Sequence, residues 1–239
     1  LTEGLPPNFS IINEPIPGSY TARNAGLNMA RGEVIGFTDS DCIPDADWIS
    51  EAVKVFEKNR DAQRVTGPIR IFRELEGGWF AWKFESVTAF NQQHNVRNGV
   101  SVTANLFVRK SVFNQVGLFN TSLFSGGDIE WNKRATEQGI SLCLIDSVLI
   151  MHPARLSIFD LINKARRVVG GGFVRAKQEH RLIVYTLRHC VPPVKYAMVL
   201  YKDGKSLFDV VFASVIYWVI KLLMVVEIFR LSLGARPVR

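Results

Sequence analysis

Two carboxylates one residue apart, Asp39 and Asp41 around Ser40, follow directly on the run at residues 33–38, EVIGFT. That run is compact and rich in β-formers, so it predicts a buried strand. In open α/β sheets, ligands gather at the carboxyl ends of strands. Two oxygen donors in that position suit a hard divalent cation. Such a cation would neutralise a diphosphate and make a nucleotide a good leaving group. An Asp-x-Asp also occurs in ordinary surface turns, so its place at a strand end is what gives it weight. A second group, Gly126-Gly127-Asp128-Ile129-Glu130-Trp131, opens a predicted helix over 127–138. Asp128 falls in the first turn, where the helix dipole favours a carboxylate. It can be read as a plain N-cap or as a general base that takes the proton of an attacking hydroxyl. Trp131 can offer an aromatic face to a sugar ring or lie in the core. His152 closes the β-rich run 140–151 and precedes Pro153. A lone histidine is usually structural, but beside metal-binding carboxylates it is a candidate nitrogen ligand.

The elements that must carry these residues alternate. A short apolar run at 10–13 predicts a strand, and 21–30 a helix that ends at Arg31-Gly32. After the strand at 33–38, Asp47 is placed to cap a helix over 48–58 with Ile49, Ala52, Val53 and Phe56 on one face. A strand is expected over 63–72, an aromatic-rich helix over 77–92, a strand over 100–108 and a short helix over 110–116. The alternation implies an α/β fold with a largely parallel sheet. Beyond His152 the character changes. Residues 158–177 read as a basic helix (Lys164, Arg166, Arg167, Arg175, Lys177) broken at Gly170-Gly171-Gly172. Residues 182–201 are apolar but interrupted by Arg188 and Pro192-Pro193. Residues 207–229 form the most apolar stretch, long enough to span a bilayer, which takes roughly 20 apolar residues. Asp209, Lys221 and Glu227 count against a span. So do the basic residues on both sides, Lys202 and Lys205 before and Arg230, Arg236 and Arg239 after. A membrane-embedded or interfacial helix is the expectation, with a buried soluble helix or dimer face as the alternative. The organisation expected is therefore a partial catalytic domain over 1–155, a basic helical extension over 156–205 and an apolar helix over 206–232.

Composition narrows the classes. The chain has 239 residues, 47% hydrophobic, 11% aromatic and 21% charged, a balance that forms a core and argues against disorder. A net charge of +7 suits a phosphorylated substrate, an acidic lipid surface or nucleic acid. The basic residues are spread out or lie beside apolar helices, and no nucleic-acid motif is present, so a nucleic-acid partner is not expected. The three cysteines (Cys42, Cys143, Cys190) show no CxxC spacing, which points away from a disulfide framework or zinc cluster and fits a reducing compartment. The first residues, from Leu1 through Pro6 and Pro7, carry no signal-peptide pattern.

Taken in order, these segments resemble the family 2 glycosyltransferases of GT-A fold. PGSYTARNAGLNMARGEVIGFTDSDC is similar to that family's Arg-Asn, helix, strand and Asp-x-Asp segment. TANLFVRKSVFNQVGLFN is similar to its acceptor-side stretch, and SGGDIEWNKRATEQGISLCLIDSVLIMHPAR to its catalytic helix and later histidine. The resemblance covers roughly residues 10 to 175. It implies a mixed, Rossmann-like sheet lacking its first strands, followed by C-terminal helices. It also implies that about 60 to 70 residues of the family pattern precede Leu1, and that the parent is of the bacterial cell-envelope or exopolysaccharide type. Roles follow residue by residue. Arg23, Asn24, Asp39 and Ser40 would meet the nucleotide-sugar donor, most simply a UDP-sugar. Asp39, Asp41 and His152 would hold Mn²⁺ or Mg²⁺. Asp128 would be the base of an inverting displacement, and Asn105, Gly127 and Trp131 would line the acceptor site. The sequence departs from the family at Gly127, where many members carry Glu, and at Glu130, where Asp is commoner. The expected activity is metal-dependent transfer of a sugar from a nucleotide-diphosphate sugar to a hydroxyl of a glycan or lipid-linked precursor, at the cytoplasmic face of a bacterial inner membrane. A sugar nucleotidyltransferase of the same fold and a non-catalytic membrane scaffold are the alternatives. The first would require a Gly-rich, basic loop that this sequence does not contain.

Overall fold

The computed structural model describes residues 9–123 and 125–238. Leu1, Pro6, Pro7, the side chain of Arg175, and Arg239 lie outside the described residues. The order is α1 (Ser19–Met29), β1 (Val34–Thr38), β2 (Ile43–Pro44), α2 (Trp48–Lys58), β3 (Arg64–Thr66), β4 (Ile69–Phe72), α3 (Trp79–Thr88), α4 (Gln92–Arg97), β5 (Asn105–Arg109), α5 (Lys110–Val116), α6 (Gly127–Glu137), β6 (Leu142–Leu144), β7 (Ile150–Pro153) and then α7 (Ile158–Gln178), α8 (Leu182–Cys190), α9 (Val194–Lys202) and α10 (Leu207–Ser232). The apolar run at 10–13 is not a strand.

The fold is mixed α/β with C-terminal helices, and its sheets are mixed rather than largely parallel. One sheet runs β1-β5-β3-β6 and the other β2-β7-β4. β5 lies antiparallel between β1 and β3, whereas β3–β6 and β4–β7 are parallel and β2–β7 is antiparallel. The expected strand at 63–72 splits between the two sheets at Gly67-Pro68. A Cβ on Gly67 would fall 1.7 Å from the Val148 carbonyl oxygen, so only glycine lets the crossing backbones approach this closely. Proline lacks the N–H that would continue the ladder.

Three apolar clusters fill the molecule. Ile35, Phe37, Leu106, Val108 and Trp131 hold α1, α5 and α6 on the first sheet. Trp48, Phe56, Val65, Phe107 and Ile150 seat α2. The third joins Phe84 of α3 to Leu161, Phe173, Leu200, Val210 and Ile228 of the C-terminal helices. α3 comes from the middle of the chain, yet it packs in the helical layer.

The aromatic run 77–92 does not form one helix. α3 ends at Thr88, Phe90 takes a left-handed φ of 50°, and α4 starts at Gln92. α7, in contrast, runs unbroken through Gly170-Gly171-Gly172. A Cβ at 172 would lie 2.2 Å from the Tyr185 hydroxyl and 2.7 Å from its ring, so Gly172 marks where α8 presses on α7, not where α7 stops.

Candidate active site

β1 ends at Thr38, paired with Asn105 of β5, and delivers Asp39 to the rim of the sheet. The chain turns at once, with the Cys42 amide donating to the Asp39 carbonyl at 3.1 Å. It then enters β2, whose Ile43 and Pro44 pair with Met151 and Ile150 of β7. That antiparallel register carries Asp41 and Cys42 alongside His152. The result is a compact group in which an Asp41 carboxylate oxygen, the Cys42 sulfur and a His152 ring nitrogen all lie within 4.8 Å of one another. His152 Nε2 stands 3.7 Å from Asp41 Oδ2, while its Nδ1 bonds the Pro153 carbonyl at 2.6 Å. A carbonyl partner requires a proton on Nδ1, so Nε2, turned to Asp41, is the ring nitrogen placed to bind a cation. An oxygen and an imidazole nitrogen so arranged fit a divalent cation. Cys42 was not anticipated from the sequence. Burial pushes its thiol up, so the neutral thiol is the resting form beside the pair.

Asp39 is engaged elsewhere. Arg23 Nη2 donates to its Oδ1 at 2.6 Å, and Asp39 is not one of the three clustered donors. Ser40 is exposed at the tip of the turn. α1 therefore brings a guanidinium to the first carboxylate and leaves the second to face His152.

α6 begins after Gly126, whose φ of 74° lies in the left-handed region that glycine enters freely. Asp128 is not its cap. Its Oδ1 accepts from the Ile129 amide at 2.9 Å and from the Tyr20 hydroxyl at 3.4 Å. Burial pushes the Asp128 carboxyl above its ordinary value, and the Ile129 amide, the Arg23 charge and the Thr103 amide only partly offset this. A carboxylate lifted in this way is a better proton acceptor near neutral pH than a solvated one. Arg23 thus bonds Asp39 and also acts electrostatically on Asp128.

The remaining expected site residues do other work. Asn105 is fully buried, accepts from Trp48 Nε1 at 2.9 Å and donates to the carbonyls of Val148 and Pro68 at 2.8 and 3.2 Å. It ties the two sheets together and has no surface for an acceptor. Trp131 is likewise fully buried, stacked on Phe113 with centroids 4.7 Å apart and bonded through Nε1 to the Gly117 carbonyl at 2.7 Å. Asn24 exchanges two hydrogen bonds with the Phe119 backbone, 2.9 and 3.1 Å, and anchors α1. Glu130 is paired with Arg134 at 2.7 Å. Gly127 is buried under Tyr20, whose hydroxyl accepts from its amide at 2.8 Å. Tyr20 was not singled out in the sequence.

A groove of about 520 Å³ opens beside Gly126, two residues from Asp128. Val168, Tyr185, Arg181 and Arg188 line it, as does Glu179, whose carboxylate lies 3.9 Å from Arg181.

A mixed α/β domain with an acid pair at the end of its first strand, a histidine drawn up to it and a buried carboxylate opening a helix has the layout of a nucleotide-sugar transferase. Residues 1–117 match the family described as "Glycosyl transferase family 2", and the chain is a member of that family. It is similar to "Glycosyltransferase AglE" of Haloferax volcanii, 36% identical over 162 residues that cover 67% of this chain and 52% of that protein. It is also similar to "Glucosyl-dolichyl phosphate glucuronosyltransferase" of the same organism, 27% identical over 125 residues, 48% of this chain and 39% of the other. The chain spans about half or less of the length of these relatives, which are archaeal where a bacterial parent was expected. Among solved structures, the mannosyltransferase PcManGT from Pyrobaculum calidifontis with GDP-Man and Mn²⁺ superposes with a TM-score of 0.49 at 14% identity, over 87% of this chain and 66% of that one. GalNAc-T7 with UDP, GalNAc and Mn²⁺ gives 0.46 at 20%, over 65% and 35%. The family assignment rests on sequence and not on these partial superpositions.

Proposed function

We propose that the protein transfers a sugar from a nucleotide-diphosphate sugar to a hydroxyl of a lipid-linked acceptor at a membrane surface, with inversion at the anomeric carbon. The observation that carries this reading is Arg23, which bonds Asp39 at 2.6 Å and lies close enough to Asp128 to favour its charged form. One guanidinium is thereby bonded to the donor-side acid and acts by its charge on the candidate base. Asp128 takes the proton of the acceptor hydroxyl as its oxygen forms the new bond to the anomeric carbon. The bond from that carbon to the diphosphate oxygen breaks on the opposite side, and the nucleoside diphosphate departs with the electron pair. Asp41 and His152 would hold Mn²⁺ or Mg²⁺, which supplies charge neutralisation of the departing diphosphate. Arg23 and Asp39 orient the donor.

The groove beside Gly126 supports an acceptor with an anionic group and an apolar portion, because Arg188 and Arg181 line it together with Val168 and Tyr185, although Glu179, 3.9 Å from Arg181, takes up part of that charge. The name of the second Haloferax relative, whose substrate is a dolichyl phosphate sugar, points to the same kind of acceptor. α10 supports the membrane surface. It is the one helix among the described residues long and apolar enough to cross a bilayer, with mean hydropathy 2.1 over its most apolar window and only 28% of that window buried.

The test is nucleotide release by the whole protein from a panel of UDP-, GDP- and dTDP-sugars with a lipid extract as acceptor. Each donor is run with Mn²⁺, with EDTA and as Asp128→Asn. Release from one donor that EDTA abolishes and that Asp128→Asn lowers by about 10²- to 10⁴-fold is the expected result. Equal release with Asp128→Asn would remove the base from this scheme.

A further inference from the structure

Gly127 presents a problem that α1 resolves. A Cβ on this residue would lie 2.6 to 2.9 Å from the ring of Tyr20, so the space a side chain at 127 would fill is occupied by Tyr20. The phenol comes from 107 residues earlier in the chain, yet its hydroxyl is bonded on both sides of the first turn of α6. It accepts the Gly127 amide at 2.8 Å and faces Asp128 Oδ1 at 3.4 Å. Its ring, only 6% exposed, is stacked on Phe119 at 6.1 Å, and Asn24 clamps the backbone of Phe119. Arg23 also stands over the ring, 5.8 Å from its centroid, on its way to Asp39. Residues 20, 23 and 24 lie one turn apart on α1, so they share a face. A single helical face therefore reaches Asp128, Asp39 and the loop that precedes α6.

We propose that Tyr20 is a positioning residue for Asp128: its hydroxyl, seated in the space left by Gly127, fixes the first turn of α6 and gives the Asp128 carboxylate a hydrogen bond. This rests on the reading of Asp128 as the base. Burial and the neighbouring Asp128 charge push the Tyr20 phenol up, so it stays protonated and able to donate throughout the neutral range. Tyr20 and Arg23, both of α1, are the titratable and charged side chains that act on Asp128, and the amides of Ile129, Thr103 and Asp128 itself supply the neutral donors. Replacing the hydroxyl by hydrogen removes a donor to the carboxylate, which raises the folded-state pKa further.

Two readouts separate positioning from packing, with Tyr20→Phe retaining the stacked ring. The first uses no substrate. Ionised Asp128 is disfavoured in the folded state, so the thermal-midpoint gap between the protein and Asp128→Asn opens as pH rises past the ordinary carboxylate value, about 3.9, and levels off above the folded one. In the Tyr20→Phe background the levelling point is expected to move up by roughly half a unit to one unit, the equivalent of one hydrogen bond. The second is the acid limb of kcat for nucleotide release, expected to move up by the same amount with donor KM unchanged. Gly127→Ala, which drives a methyl into the ring, is expected to reproduce both shifts. A lower midpoint at every pH with an unmoved levelling point would assign Tyr20 to packing and overturn the proposal. A moved levelling point with full turnover in Asp128→Asn would instead remove Asp128 as the base while keeping the Tyr20 contact.

Discussion

Asp39 and Asp41, with only Ser40 between them, do different work, because a tight turn separates their side chains. Asp39 is held by Arg23 at 2.6 Å, whereas Asp41 is exposed and faces His152 Nε2 at 3.7 Å. A cation bound by Asp41 and His152 has a ring nitrogen already aimed by the Pro153 carbonyl. Asp41→Asn and His152→Ala are therefore expected to weaken Mn²⁺ binding by about 10- to 100-fold, measured by electron paramagnetic resonance titration without any sugar donor. Asp39→Asn is expected to leave Mn²⁺ affinity near the starting value and to weaken nucleotide binding. Equal loss of Mn²⁺ from all three variants would return Asp39 to the metal. That Asp41 and His152 would come together could be read from local sequence, because strand ends and ligand types show there, whereas the engagement of Asp39 by Arg23 and the presence of Cys42 could not. Asn105, Asn24 and Trp131 were not legible either. Their roles depend on backbone partners 43, 95 and 14 residues away, and a buried amide that ties two sheets looks in sequence like one that meets a substrate. Arg64 is a further case. It is fully buried, with Asn132 Oδ1 at 2.7 Å, Thr136 Oγ1 at 2.9 Å and the Ile140 carbonyl at 2.7 Å, and burial pushes its guanidinium down to about 10. No pattern in the chain announced it.

At the scale of elements, the crossing at Gly67-Pro68 decides whether the two sheets meet. β3 belongs to the first and β4 to the second, and the carbonyl of Val148, just ahead of β7, passes directly against Gly67. A methyl group there has no room, and the obstacle is backbone rather than a movable side chain. Gly67→Ala is expected to lower stability by about 3 kcal/mol or more, beyond the usual range for an overfilled core, read by urea denaturation. It should also loosen the β2–β7 register that brings Asp41 to His152, so Mn²⁺ affinity should fall with stability. Retained stability would mean that the sheets can separate locally without cost to the site. The helices α2 and α5 fall where they were expected, but the Asp47 side chain does not cap α2, and the buried face of α2 is Trp48, Ala52 and Phe56 while Ile49 and Val53 are exposed. The glycine run in α7 was misleading. Each glycine disfavours a helix by about 1 kcal/mol, yet the close approach of Tyr185 needs a residue without a side chain at 172, and tertiary packing prevails. The antiparallel entry of β5 was not legible either, since alternation of strands and helices gives order along the chain and not direction within a sheet.

Over the whole molecule, the three charges within the helix that argued against a membrane span, Asp209, Lys221 and Glu227, each find a partner within the protein. Asp209 is paired with Lys83 of α3 at 2.6 Å. Glu227, 6% exposed, is held by Arg166 of α7 at 3.1 Å and by Arg230 at 2.6 Å. Lys221 donates to the Val191 carbonyl at 2.8 Å. One side of α10 thus packs along its length on α3 and α7 to α9, through Val210, Ala213, Ile220, Met224, Ile228 and Leu231. The other side, with Val211, Val215, Val219, Leu222, Val226 and Phe229, is exposed and carries no charge. A helix fixed to protein on one face and apolar on the other suits lying in the interface better than crossing a bilayer alone. Burying each such side chain is worth about 1.5 to 3 kcal/mol, so a few of them suffice for binding, and the net charge of +7 adds attraction to an anionic surface. The stripe predicts a specific failure. Val215→Asp with Val219→Asp leaves the packed face untouched, so the thermal midpoint in solution should stay where it was. Flotation with phosphatidylcholine–phosphatidylglycerol vesicles should be lost, together with transfer to a lipid acceptor presented in those vesicles, while nucleotide release to water or a soluble acceptor should persist. If the double variant floats as well as the unaltered protein, contact with the bilayer runs through another face, and the exposed aliphatic row on α8, with Ile183 and Leu187, becomes the surface to change.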